Sequence, residues 1–148
     1  MSTKIKLHYS KALDISLLEK GIEVWLRRIT IQTAFKTSKG FTQPYEAIVD
    51  TGAPVSILPP AIWQDIEKEI LGDYRIKGIV PKKDAFLPVK VANVCAALLD
   101  EHKSTRMLKI KAYLSIEPEV PLVLGFENFL SQAKIYSDTQ NNSGYIEI

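Results

Sequence analysis

A mostly β domain, a small closed or sandwiched sheet structure with one clear helix, is what the sequence predicts, and three features predict it. Two segments alternate with period two. Ile29, Ile31, Thr33 and Phe35 fall on one face of the first, with Arg28, Thr30, Gln32 and Ala34 on the other. Leu108, Ile110, Ala112, Leu114 and Ile116 alternate in the second with polar or aromatic neighbours. Clusters of Gly, Pro, Asn and Ser separate short apolar runs, and one stretch alone (Ile62, Trp63, Ile66, Ile70) repeats at helical spacing.

Taken in order, Met1 to Leu7 is a candidate short strand and Ala12 to Lys20 a brief helix or surface arm. Residues 1–24 are therefore set apart as an N-terminal arm of uncertain structure: a pro-segment, a dimer arm or disorder. The strand containing Ile29 to Phe35 is followed by a hairpin loop over Lys36 to Pro44, and Tyr45 to Val49 returns as a strand ending at Asp50. Val55 to Leu58 is a second apolar strand. Pro59-Pro60 suits a helix start, because proline has no N–H to leave unpaired there. The helix is expected to run to Leu71, with Ile66 and Ile70 facing the core and Gly72 as its stop. Arg75 to Val80 and Phe86 to Val94 flank Pro81-Lys82-Lys83-Asp84, a hairpin with a proline-led turn. Strands Val94–Leu99 and Met107–Ile116 follow around a polar turn at Asp100 to Thr105. Then come Pro121 to Gly125, a helical turn around Phe126 to Leu130, and a terminal hairpin of Ala133 to Ser137 with Tyr145 to Ile148.

Composition excludes several function classes. A chain of 148 residues fits one domain and can bury a core without disulfides or metals. The net charge of +2 and the lack of long like-charge runs offer no footprint for nucleic acid or an anionic membrane. Cys95 is the lone cysteine, read as a small buried hydrophobe. His8 and His102 with one cysteine make no metal set, so neither metal nor cofactor is expected. No apolar run approaches a membrane span, the N-terminus lacks the apolar core of a secretory signal, and a cytoplasmic setting is expected.

The chemistry concentrates at Asp50-Thr51-Gly52-Ala53. Ala47-Ile48-Val49 makes an apolar strand that stops abruptly at an ionisable residue, Gly52 permits a tight turn, and Val55 to Leu58 supplies a second apolar wall. A carboxylate at such a strand end gains rigidity and partial burial, as a catalytic group needs. On the tripeptide alone a plain turn cap is the better reading; the flanks reverse that preference. A second element, Leu122-Val123-Leu124-Gly125, precedes a short helical turn near the C-terminus.

Together these segments resemble the retropepsin family of aspartic proteases, which includes retroviral proteases and small single-domain bacterial relatives. The resemblance spans about residues 25–148 and is strongest at Tyr45–Trp63 and Pro121–Leu130. It implies a small closed barrel of the retropepsin type with a flap hairpin. Asp50 would be the catalytic carboxylate and Thr51 a hydroxyl bonding across a twofold axis. Gly52 would give close backbone approach, and Val123, Leu124 and Gly125 a strand supporting the loop. The hairpin carrying Gly78, Ile79, Val80 and Phe86 would be the lid over substrate, although its tip lacks the family's glycine richness.

The chemistry of such a protein needs two aspartates that share one proton and divide the roles of general base and acid. The chain has one Asp-Thr-Gly, and Asp100 and Asp138 sit in turns without comparable surroundings. A homodimer acting on protein or peptide substrates is therefore expected. Some relatives carry Ser or Thr where Ala53 stands. A methyl cannot donate to the carboxylate, so the pair is expected to work from mildly acidic to near-neutral pH. Two other readings compete: a catalytically inactive dimer of the same fold serving as a binding or assembly module, and an unrelated small β ligand binder. A binding module has no need of a carboxylate that is costly to bury, and the ligand binder leaves the paired motifs unexplained.

Overall fold

Strands form where the period-two pattern runs. A computed structural model describes residues 2–77 and 86–148. The first alternating segment lies within strand β3 (Trp25–Thr37), in which Ile31, Thr33 and Phe35 are fully buried. Before it come β1 (Lys4–Lys6), β2 (His8–Leu13) and a single helical turn, α1 (Ile15–Leu18). After it, β4 (Gly40–Phe41) folds back on β3, and β5 (Tyr45–Val49) pairs with it from Thr33↔Tyr45 to Thr30↔Ile48. The short strand β6 (Ser56–Leu58) and helix α2 (Pro60–Trp63) follow.

The expected helix through Leu71 does not form. Pro59 is extended and α2 ends after four residues. From Lys68 the chain becomes strand β7 (Lys68–Lys77), antiparallel to β8 (Phe86–Leu99). A hairpin ladder of this length outweighs local helical spacing, because strand preference is decided by what a segment pairs with. Ile62 and Ile66 do reach the core at 5% exposure each, whereas Ile70 is 45% exposed. Gly72 is not a helix stop but sits at a bulge in β7, where the register skips a residue after Ile70. The runs ending and beginning at Val94 merge into the one strand β8, with Cys95 half-buried in it.

In β9 (Leu108–Ser115), Leu108, Ile110, Ala112 and Leu114 are buried as the alternation requires. Ile116 lies past the strand's end and is exposed. Strand β10 (Val123–Leu124) precedes a turn and a 3-10 segment at Leu130–Gln132, later than the helical turn expected from Phe126. The terminal hairpin is β11 (Lys134–Asp138) with β12 (Ser143–Glu147).

Two sheets result. The smaller has the order β1-β12-β11; the larger is nine-stranded and runs β2-β3-β5-β10-β6-β9-β8-β7, with β4 beside β3. Gln32–Phe35 also pairs with Ala96–Leu99, so β3, β5, β10, β6, β9 and β8 make a ring of pairings. That ring is not the small closed barrel expected from the sequence. A barrel needs continuous, evenly staggered ladders. Here β10 meets β6 only at Val123↔Ile57 and β5 at two positions, while β2 and β7 lie outside the ring.

The N-terminal segment enters the fold directly. Ile5 and Leu7 are buried in the main core with Phe35, Leu58, Leu98, Ile110 and Phe129. β2 pairs with β3 over six register positions. Asp100 anchors this arrangement from the β8–β9 turn: its carboxylate accepts N–H groups from Lys6 at 3.1 Å, His102 at 2.8 Å and Lys103 at 2.9 Å. Partial burial pushes the Asp100 carboxyl up, but those three donors and the Lys103 charge outweigh it and hold it below the ordinary aspartate value. A carboxyl depressed on folding adds stability above its unfolded value, and that stability is lost as pH falls through the folded value. Asp100→Ala is therefore expected to lower the urea midpoint at pH 7, with the gap from wild type narrowing below about pH 4. A gap independent of pH would contradict this role.

Candidate functional site

The loop after β5 is built by backbone hydrogen bonds on both sides. Ile48 N–H donates to Leu122 O at 2.9 Å and Asp50 N–H to Leu124 O at 3.1 Å, which extends the parallel β5–β10 pairing up to the acidic residue. Ala53 N–H donates back to Asp50 O at 3.2 Å and closes a tight turn. On the far side, Phe126 N–H reaches Ala53 O and Glu127 N–H reaches Pro54 O, each at 2.9 Å. Residues 50–55 are thus stitched at both ends to the segment around Gly125.

Gly125 is the contact that permits this. A Cβ there would lie 2.6 Å from Ala53 O, 2.7 Å from Val55 C and 2.8 Å from Val55 O, all backbone atoms. Only glycine lets the two segments approach so closely. Its N–H donates at 3.0 Å to Ser56 Oγ, which is fully buried. Sequence reading overlooked Ser56, although a lone hydroxyl inside the apolar run Val55 to Leu58 was a signal that some buried donor had to meet it.

Asp50 Oδ1 accepts the Gly52 N–H at 2.8 Å, and a Cβ on Gly52 would come within 3.2 Å of that same oxygen. The carboxylate is therefore oriented by its own turn. Asp50, Thr51 and Gly52 are exposed in the single chain and Ala53 is half-buried, so the partial burial expected for Asp50 is absent here. Its walls are apolar nonetheless. Asp50, Gly52 and Ala53 line a cleft of about 590 Å³ together with Val55, Ile57, Pro121 and Val123. Among the described residues, Asp50 is the only carboxylate in that lining.

The opposite wall comes from the β7–β8 hairpin and β9, through Tyr74, Ile76, Lys77 and Tyr113. The Tyr74 and Tyr113 rings stack with centroids 5.7 Å apart and planes at 30°. Burial, then the neighbouring Tyr74, pushes the Tyr113 hydroxyl above its ordinary value, so it is a neutral hydrogen-bond donor at physiological pH. The sequence reading missed these residues. Tyr113 was legible as the odd member of an alternating strand, pointing away from Ala112 and Leu114.

Of the lid residues expected, Gly78, Ile79 and Val80 lie outside the described residues. Phe86 opens β8 opposite Lys77, is 51% exposed, and is not part of the cleft lining. Val123 lines the cleft, while Leu124 is fully buried beneath it. Among the described residues no group of His, Cys, Asp and Glu is placed to hold a metal, and no helix is long and apolar enough to cross a membrane.

Comparison with family models and with curated proteins gives no match. Among solved structures the chain is similar to EIAV protease complexed with the inhibitor HBY-793. The identity is 16%, over 71% of this chain and 86% of that one, with a TM-score of 0.41. This is a distant structural similarity to a retropepsin-type aspartic protease fold, and a likeness at that level assigns no activity.

The glycine contact gives a paired prediction. Gly125→Ala forces backbone apart and should cost about 1–3 kcal/mol in denaturant unfolding. Gly72→Ala, where an added Cβ meets nothing within 4 Å, should change stability by less than about 0.5 kcal/mol. Equal effects at the two sites would show that the loop does not depend on the close approach.

Proposed function

We propose that the protein is an aspartic endopeptidase whose dyad is formed by Asp50 from each of two copies. The observation that carries this reading is the setting of Asp50. It stands at a strand end on a turn stitched to Gly125, and it faces an apolar-walled cleft that holds no other carboxylate among the described residues. Such a cleft suits an extended peptide, whose side chains would meet Val55, Ile57, Val123 and the tyrosine pair.

In the proposed reaction the two carboxyl groups hold one proton between them, since like charges a few ångströms apart do not both ionise. The ionised member takes a proton from water, whose oxygen attacks the peptide carbonyl carbon. The protonated member gives its proton to the carbonyl oxygen. Collapse of the resulting diol breaks the C–N bond as the carboxyl that took water's proton gives it to the departing nitrogen. The other carboxylate takes a diol hydroxyl proton, so the dyad again holds one proton. Gly52 N–H, 2.8 Å from Asp50 Oδ1, holds the carboxylate in place throughout. Thr51, exposed beside it, is free to reach the second copy's loop.

Cleavage of an unstructured protein from mildly acidic to neutral pH tests this directly. Asp50→Asn should lower the rate by about 10³-fold or more, and a statine-type inhibitor should block the wild type. Equal cleavage by the two proteins would exclude the enzyme and leave the binding-module reading. A second substitution tests the loop's chemistry. Ala53→Ser adds a hydroxyl able to favour the charged carboxylate, so the acid limb of the pH–rate profile should move to lower pH. An unmoved limb would mean that this position does not face the dyad.

A further inference from the structure

The β2–β3 hairpin runs well beyond what the sheet requires. In the β3–β5 register Thr30 lies opposite Ile48; two residues further, Arg28 comes level with Asp50. From there β3 continues to Trp25, paired with Lys11–Leu13 of β2, about 10 Å of strand past the acidic residue. At its tip α1 buries none of its residues. Ile15 is 62% exposed, Ile22 49%, Leu26 44%, Leu18 43%, Trp25 42% and Val24 37%. Single exposed apolar residues are ordinary; six within twelve positions on one projecting element mark a contact surface.

The element is also ordered in advance. Asp14 caps α1 through Leu17 N–H at 3.1 Å, its own N–H donates to Val24 O at 2.9 Å, and Ile22 N–H donates to Leu17 O at 2.9 Å. Trp25 is held by Glu23 Oε1 at 2.9 Å on its indole N–H and by Lys11 Nζ 4.9 Å above its ring. A knob fixed in this way loses little conformational entropy on docking.

We infer that this knob is the docking element for a second copy of the chain, and that it brings the two Asp50 loops together. The inference rests on the proposed dyad, which a single copy leaves incomplete. It commits to a self-partner for two reasons. The knob projects from the same end of β3 and β5 that carries Asp50, so a twofold axis bringing the carboxylates together also brings the knobs close. In addition, it carries both charge signs around its apolar centre: Lys11, Arg27 and Arg28 on the strands, and Asp14, Glu19 and Glu23 with the single cation Lys20 at the tip. A twofold interface sets each patch against its counterpart and lets unlike charges meet.

Sedimentation velocity across a range of concentrations, run alongside cleavage assays, tests this. The wild type and Asp50→Asn should both dimerise. The double variant Ile15→Glu, Ile22→Glu should raise the dimer dissociation constant at least 10-fold, with a thermal melt equal to wild type at concentrations where both are monomeric, because neither side chain is in the core. Its cleavage activity should return as protein concentration rises. If the double variant unfolds, the milder Ile15→Ser should still weaken the dimer measurably. A double variant that dimerises like wild type overturns the docking role, as does a wild type that stays monomeric at every concentration. The two proposals fail separately. A dimer lost on knob substitution with no cleavage by wild type supports docking and removes the protease. Concentration-dependent cleavage that is indifferent to the knob does the reverse.

Discussion

Everything at the candidate site depends on one close approach, the packing of Gly125 against the backbone of Ala53 and Val55. Strand β10 is only two residues long and threads between β5 and β6, parallel to one and antiparallel to the other. So short a strand gains little from its own ladder. What fixes it is the absence of a side chain at Gly125, the buried Ser56 hydroxyl that takes its N–H, and the N–H groups of Phe126 and Glu127 that reach over to the acidic loop. Remove that contact and the Asp50 turn would keep its bond to Leu124 but lose its far-side anchor at Phe126 and Glu127.

The same construction explains how an exposed carboxylate can be rigid. Asp50 is open to solvent in the single chain, but its backbone is bonded to Leu124 and Ala53 and its carboxylate to Gly52. Position is set by the backbone while burial is left undone. In the proposed dimer a second copy or a substrate would supply burial, through the apolar residues of the cleft and of the β2–β3 tip. On the proposed reading, the exposed apolar tip and the exposed acid would be covered in one event, the pairing of two copies.

How much was legible in the sequence differs by element. The strands around Ile31 and Ile110 were plain, because one buried face imposes period two. Tyr45–Val49 and the terminal hairpin were equally plain, since turn residues bound them. The helix through Leu71 was misread, because apolar spacings of four residues suit a helix and also the even positions of a strand; pairing with β8 decided between them. The closed barrel was misjudged for a related reason. Strand count and length suggest closure, but whether ladders are continuous depends on register, which β10 interrupts. Ser56 and Tyr113 each stand out locally, one as a hydroxyl in an apolar run and the other as an aromatic in an alternating strand, but their partners, Gly125 and Tyr74, are distant in the chain and not legible from it.

By itself the sequence determined the two local motifs on which the proposed chemistry rests and several of the places where the chain turns. Asp50-Thr51-Gly52 at the end of an apolar strand, and an apolar pair followed by Gly125, are local facts, set by side-chain chemistry and by the freedom of glycine. Tertiary structure alone decided that these two segments interlock, that β2–β3 outruns the sheet past Asp50, and that Ile5 and Leu7 belong to the core. Those outcomes follow from packing between residues far apart along the chain, where the free energy depends on complementary shape and hydrogen bonding that no short window of residues contains.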